Sequence, residues 1–298
     1  MTEVFHIERF ATHDGPGIRT TVFFRGCGMH CPWCANPESW QSSGRLLHRR
    51  QRCTGCGRCA DVCPAHAIRL DPEWSCDQAA CTGCGRCAEE CTHDAIEPVS
   101  RNMTTEEILH EVLKDRDYYE ESHGGLTVSG GEPFLQPEGL MDLLSRASCL
   151  GLHTAVETAG FYDSALLQQA IPLAGLFLFD LKHTDPDALR RVTGGESSVI
   201  AANLRILAGT CPERVIIRIP VIPGFNQDAE AMHAILRMAA DLGFRRADLL
   251  PYHVLAAAKW DALGGAYPWP QRQPLHDSDL EEFRRFGNAL GIETAIGG

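Results

Sequence analysis

The rhythm of apolar positions divides this chain. After Asn102, short runs of β-branched and aromatic residues alternate with longer stretches of helical spacing. Strand-like runs fall at Leu126–Ser129, His153–Thr158, Leu176–Asp180, Val215–Pro220 and Ala247–Leu250, and helical spacing falls near 137–150, 163–171, 185–208 and 228–242. A capping box, Thr104-x-x-Glu107, opens the first helix ahead of Ile108, Leu109, Val112 and Leu113, which share one face. A further strand, Thr20–Arg25, precedes all of these and follows an Asp14–Gly17 turn; one more helix near 278–290 and a strand over 292–296 close the chain. Alternation predicts a parallel sheet with helices outside it. Six β/α steps are too few for a closed eight-stranded barrel, so the expected fold is α/β, an open partial (β/α)6 barrel.

Between residues 48 and 100 that rhythm stops and cysteine spacing takes over. Cys53-x2-Cys56-x2-Cys59-x3-Cys63-Pro64 recurs as Cys81-x2-Cys84-x2-Cys87-x3-Cys91, with Cys-Thr-Gly-Cys-Gly-Arg-Cys-Ala identical in both copies. This is the bacterial two-cluster ferredoxin pattern, in which the fourth cysteine of each run ligates the other cluster. One cube is therefore assigned to Cys53, Cys56, Cys59 and Cys91, the other to Cys63, Cys81, Cys84 and Cys87. Fully ligated cubes have no open iron, so electron relay is the role their chemistry permits, beside a structural one. Cys76 stands close to Cys81 as a competing ligand or a small buried thiol. Three segments result: residues 1–47, the start of the barrel; 48–100, a small inserted ferredoxin-like domain; and 101–298, the rest of the barrel. The basic stretch His48-Arg49-Arg50-Gln51-Arg52 reads as a solvated linker.

Composition narrows the setting. The chain has 298 residues, 44% of them hydrophobic and 22% charged, with a net charge of −12. That balance disfavours nucleic acid, whose phosphates demand clustered Lys and Arg. Met1–Arg9 mixes charge with apolar residues, so neither a secretory signal nor a membrane span is expected. Of fourteen cysteines, eleven lie in three metal-type runs, which points to a reducing cytoplasm rather than to disulfides.

The third run is Cys27-x3-Cys31-x2-Cys34, directly after the Thr20–Arg25 strand, where β/α folds carry their active sites. Three thiolates on a 4Fe-4S cube leave one iron open to a substrate. This triplet, Trp33 before its last cysteine and the preceding Asp14-Gly15-Pro16-Gly17-Ile18-Arg19 resemble the radical S-adenosylmethionine enzymes. Within them they are similar to the glycyl-radical-enzyme activating enzymes, of which pyruvate formate-lyase activating enzyme is one. The matching motifs run from Phe10 to Trp260.

The resemblance implies a radical-SAM partial barrel holding three 4Fe-4S clusters and S-adenosylmethionine. It places Trp33 beside the cofactor, the cofactor's methionine part on Gly130-Gly131-Glu132, and further cofactor contacts on Thr158, Asp180, Lys182 and Arg218. His253, in Pro251-Tyr252-His253, corresponds to a residue lining the adenosyl pocket, and Asp14 to one near the incoming peptide. Glu157 and Asp180 match a monovalent-cation site, although the family example has Asp at the Glu157 position. Ala256 stands where the family usually has Gly. The implied reaction is reductive cleavage of S-adenosylmethionine and abstraction of hydrogen from a glycine of a partner glycyl radical enzyme. A flavodoxin- or ferredoxin-type protein would donate the electron. Partners in the family include pyruvate formate-lyase-like enzymes, diol or hydroxyproline dehydratases, and choline, isethionate or arylacetate lyases and decarboxylases. Two rivals remain at this stage: a radical enzyme acting on a small molecule, and a ferredoxin-type electron carrier, which leaves Gly-Gly-Glu, Asp-x-Lys and the β/α steps without purpose.

Overall fold

The computed structural model describes residues 1–40, 45–271 and 273–297. Strand β1 (Thr2–Ala11) runs antiparallel to β2 (Arg19–Phe24), whose end delivers the chain to the Cys27 loop. The insert follows: β3 (Leu46–His48), the one-turn helix α1 (Arg58–Asp61), β4 (Ile68–Arg69) paired with β5 (Ser75–Cys76), a second one-turn helix α2 (Arg86–Glu89), and β6 (Ile96–Pro98), which returns to β3. Strand β7 (Arg101–Met103) rejoins the main sheet beside β1 and leads into α3 (Thr105–Val112) and α4 (Arg116–Ser122). Then come β8 (Gly125–Gly130), α5 (Pro137–Cys149), β9 (Thr154–Thr158), α6 (Ser164–Ala170), β10 (Leu176–Asp180), α7 (Pro186–Thr193) and α8 (Ser197–Thr210). The chain ends with β11 (Val215–Val221), α9 (Ala229–Asp241), β12 (Arg246–Pro251), α10 (Ala257–Ala262), α11 (Asp277–Ala289) and β13 (Glu293–Ile296).

The main sheet has nine strands in the order β13-β12-β11-β10-β9-β8-β2-β1-β7. It is parallel from β2 to β13, with β1 and β7 antiparallel at one edge. All six expected β/α steps are present, and β13 adds a further parallel strand. The expected helix over 185–208 is two helices, because Gly194 takes φ 75° and caps α7. Neither β1 nor β7 was foreseen, since both are antiparallel strands of mixed exposure, β7 at the edge of the sheet and β1 next to it. The 48–52 stretch is not a free linker: His48 ends a strand of the insert's small sheet, and Arg49 pairs with Glu97 at 2.9 Å. No helix among the described residues is long and apolar enough to cross a membrane.

Strand parity sets the site. Val156, Phe177, Phe179, Ile217 and Ile219 face the main apolar core, whereas Ala155, Leu176, Leu178 and Ile216 form a separate small cluster. Two residues further along the same faces come Glu157 and Asp180, at or beside the carboxyl ends of β9 and β10, and Arg218, the one charge midway along β11. Deeper in this interior, the fully buried Arg19 donates to Thr127 Oγ1 at 2.6 Å and to the Leu126 carbonyl at 2.7 Å.

In the insert, identical sequence folds identically. Gly55 and Gly57 take φ 70° and 85°, Gly83 and Gly85 take 69° and 79°, and each pair leads into one of the one-turn helices. The domain's core is only Leu46, Cys59, Ile68, Cys87 and Ile96. Two of these five are cysteines, so apolar burial alone contributes little to this domain's folding free energy.

Candidate active site

One cavity of about 540 Å³ is lined from β1, β2 and the carboxyl ends of β8 to β12, so the open sheet curls around it. Cys27, Cys31, Cys34 and Trp33 form one wall. Main-chain bonds hold their loop, from Gly26 N to Ser39 O (2.7 Å) and from His30 N to Thr193 O (2.8 Å). Trp33 packs between Phe225 and Trp269, with centroids 4.7 and 5.1 Å away. Burial pushes the Cys27 thiol up to about 12 and Cys34 to about 11, with Cys31 raised as well. Such thiols ionise at neutral pH only when a metal takes the proton's place.

Gly130 and Gly131 allow the end of β8 to lie flush against this loop. A Cβ on Gly131 would stand 2.1 Å from Gly26 O and 3.0 Å from Cys27 Cβ. Their first structural task is thus close backbone approach.

Opposite the thiols lies a layer of charge. Arg218 donates to Glu157 at 3.0 Å and stands 3.9 Å from Asp14, while Lys182 donates to Asp180 at 2.6 Å. Glu157 also accepts from Ser129 Oγ at 2.5 Å. Burial raises the Glu157 pKa despite Arg218. Burial alone would lower Lys182, but Asp180 and Cys31 reverse this and hold it above its ordinary value. Asp180 Oδ1 and Arg218 Nε are buried without a partner among the described residues. An unmatched acceptor and an unmatched donor on one wall call for a polar ligand. Thr158 and Asp14 also line the cavity, as does His253, which is exposed at the rim.

Glu132 sits elsewhere. It is 2% exposed and absent from the cavity wall. Its carboxylate accepts from Thr158 Oγ1 (2.9 Å) and Ala159 N (3.0 Å), and its own N–H donates to Gly26 O (2.6 Å). It therefore ties the cysteine loop to the loops after β8 and β9 rather than facing a ligand. Asn226 does similar work unannounced by any motif, donating to Lys182 O and Pro220 O at 2.8 Å each. Lys259 on α10 lines the cavity and bonds Asn36 and Glu38 of the cysteine loop at 2.7 and 2.6 Å. No sequence pattern marks it.

The insert brings the four cysteines of each assigned set together. Cys63, Cys81, Cys84 and Cys87 ring one apolar hollow, and Cys53, Cys56, Cys59 and Cys91 ring another. Backbone amides of Ala67 and Ala95 each donate 3.3 Å bonds to Cys63 and Cys91 sulfurs, which suits thiolate ligands. Among the described residues no three His, Cys, Asp or Glu side chains are arranged for a single metal ion. Cys76 lies beside Cys81 but outside the hollow. All fourteen cysteines are free.

A partial β/α barrel with three thiols at the end of its first parallel strand is the architecture of radical S-adenosylmethionine enzymes. Residues 21–236 match the family model of the Radical SAM superfamily. The indoleacetate decarboxylase activating enzyme of Tractidigestivibacter scatoligenes is 36% identical, over 98% of this chain and 96% of the relative. The trans-4-hydroxy-L-proline dehydratase activating enzyme of Clostridioides difficile is 37% identical, over 99% of both. A radical SAM methyltransferase from Sphaerobacter thermophilus shares the fold, with a TM-score of 0.56 at 14% identity, covering 99% of this chain and 77% of that one. The chain belongs to the radical SAM superfamily and, within it, to the activating enzymes of glycyl radical enzymes. It is an oxidoreductase that cleaves S-adenosylmethionine and takes a hydrogen atom from a glycine of its partner.

Proposed function

We propose that this chemistry takes place in the three-thiol cavity, with Cys27, Cys31 and Cys34 holding a 4Fe-4S cube whose fourth iron is left to S-adenosylmethionine. Bound there, such a cube would supply the single electron that splits S-adenosylmethionine into methionine and the radical needed for hydrogen abstraction from the partner's glycine. The observation that carries the reading is the placement of those thiols in one cavity with the unmatched Asp180 Oδ1 and Arg218 Nε.

In this reading Lys182 and Arg218 meet the cofactor's carboxylate, and Asp180 its ammonium. The Gly130–Gly131 backbone supports the methionine part, Trp33 and Thr158 shape the wall, and His253 borders the adenosyl group. Asp14, held by Thr21 at 2.7 Å, faces the incoming glycine segment. Depth within the cavity limits the access of water to the radical. Arg218 and Lys182 neutralise Glu157 and Asp180, so Arg218 stands in for the monovalent cation of the family example. The insert holds two further cubes, on the two cysteine sets above, fed by a flavodoxin- or ferredoxin-type donor. A reducing cytoplasm is the setting that suits a chain with this many cysteine thiols.

The test is a Cys27/Cys31/Cys34→Ala triple variant, purified anaerobically. It is expected to keep about two thirds of the iron and to form no 5′-deoxyadenosine. Detectable 5′-deoxyadenosine from it would refute the assignment.

A further inference from the structure

An indole stands beside a cysteine at each end of the path between the insert and the cavity. On the insert, the Trp74 N–H turns towards the Cys59 sulfur without closing a regular hydrogen bond, and its ring stacks on His48 with centroids 3.9 Å apart at 16°. His48 is buried, and Asp261 of α10 is near enough to act on its charge. Helix α10 packs on β3 and on the 37–39 turn that follows the catalytic cysteines. From α10, Trp260 meets Trp40 edge-on at 5.1 Å. Trp40 in turn directs its N–H to the Cys34 sulfur. Trp74, His48 and Trp260 lie outside the cavity wall, so cofactor binding does not account for them.

We propose that Trp74, His48, Trp260 and Trp40 form the packed route by which an electron passes from the Cys53/Cys56/Cys59/Cys91 site to the catalytic cysteines. This rests on the reading that the insert holds two cubes. One electron leaves the reduced cluster of that set, which returns to its oxidised form, and arrives at the cluster on Cys27, Cys31 and Cys34. A donor of the flavodoxin or ferredoxin class replaces it, entering through the Cys63/Cys81/Cys84/Cys87 site. The order of the two insert sites is thereby fixed. Each aromatic is a positioning residue, since it touches cysteines or other rings and not the reacting atoms.

The test uses the full-length, anaerobically reconstituted protein, reduced and then freed of excess reductant. Cluster signals are followed by electron paramagnetic resonance after S-adenosylmethionine is added. Iron content separates the two readings first: about twelve irons per chain means both insert sites are filled, whereas about four overturns the insert reading and the route with it. At full iron, Trp74→Leu and Trp260→Leu are expected to leave the amplitude of the insert signals intact. They slow the decay of those signals by about tenfold or more, the lower end of outer-sphere effects at metal sites. Trp74→Phe and Trp260→Phe recover most of the rate. Trp260 lines neither insert hollow, so its variants report even if Trp74→Leu loses iron. Wild-type decay in Trp260→Leu at full iron overturns the route.

Discussion

Replacing Glu132 by Gln isolates the cost of one buried carboxylate. Three donors surround it, Thr158 Oγ1 at 2.9 Å, Ala159 N at 3.0 Å and Phe134 N at 3.5 Å, yet burial dominates and lifts its pKa from 4.5 to about 7. An acid whose folded pKa lies above its unfolded value binds its proton more tightly when folded. Its contribution to stability is therefore complete below 4.5 and lost as pH rises through about 7. A shift of this size corresponds to about 3 kcal/mol. Glutamine keeps the shape of the protonated acid: its amide can donate to Thr158 Oγ1 while its oxygen accepts from Ala159. Glu132→Gln is thus expected to match the wild type near pH 5 and to exceed it near pH 8. For a chain of this size the gain is roughly 4–8 °C in unfolding midpoint. Glu132→Ala leaves those donors unmatched and is expected to lose about 2 kcal/mol or more near pH 5, a deficit that shrinks as pH rises through about 7 because the variant lacks the titrating group. The assay is anaerobic thermal unfolding followed by tryptophan fluorescence across that range. Glu132 already bears electrostatically on Cys27, so loading the cysteine loop with a negatively charged cluster moves the crossover to higher pH. Parallel pH profiles for wild type and Glu132→Gln would refute the reasoning, because they would show a carboxyl that does not titrate between folded and unfolded states.

Arg218→Met leaves Glu157 buried beside Asp180 with its ion partner removed, and is expected to destabilise the fold by about 3 kcal/mol near neutral pH. The Arg218→Met/Glu157→Met double variant should recover most of that in the same unfolding assay, and no recovery would mean that the two side chains are not coupled. Gly131→Ala puts a methyl group 2.1 Å from Gly26 O, so the cysteine loop must shift. About a third of the iron is then expected to be lost, all of it from the Cys27 site, with the insert's spectra unchanged; full iron content would show that the loop tolerates the displacement.

The parts of this protein legible in its sequence are those where a local constraint fixes both residue type and spacing. The doubled cysteine run is the strictest case: its spacing predicts two quartets, and each quartet gathers around its own hollow. Parallel strands are the next, since burial on both faces leaves continuous apolar runs such as Leu176–Phe179 that end abruptly in a charge. That ending sets Asp180 apart, Arg218 stands out as the one charge within the otherwise apolar β11, and strand parity takes both to the cavity. Where the constraint is not local, spacing says nothing. Strand β1 reads as mixed polarity because it is an edge-side antiparallel strand, yet it supplies His6 and Glu8 to the cavity.

Direction is the other thing that spacing omits. Glu132 follows two glycines at a strand end and looks like a third cofactor contact, but the turn at Gly130, φ 127°, sends its side chain back towards Thr158. Lys259, Trp260 and Trp40 illustrate the same point from the opposite side. Lys259 and Trp260 meet the cysteine loop and its Trp40 only because α10 folds back across it after β12, an event of sheet order rather than of sequence proximity. A motif therefore identifies which residues must share a centre, whereas the residues that hold the centre in place and connect it to the insert are chosen by topology. In this chain the second group is drawn from aromatics and amides with no spacing in common, so it becomes visible only once the strands are in order.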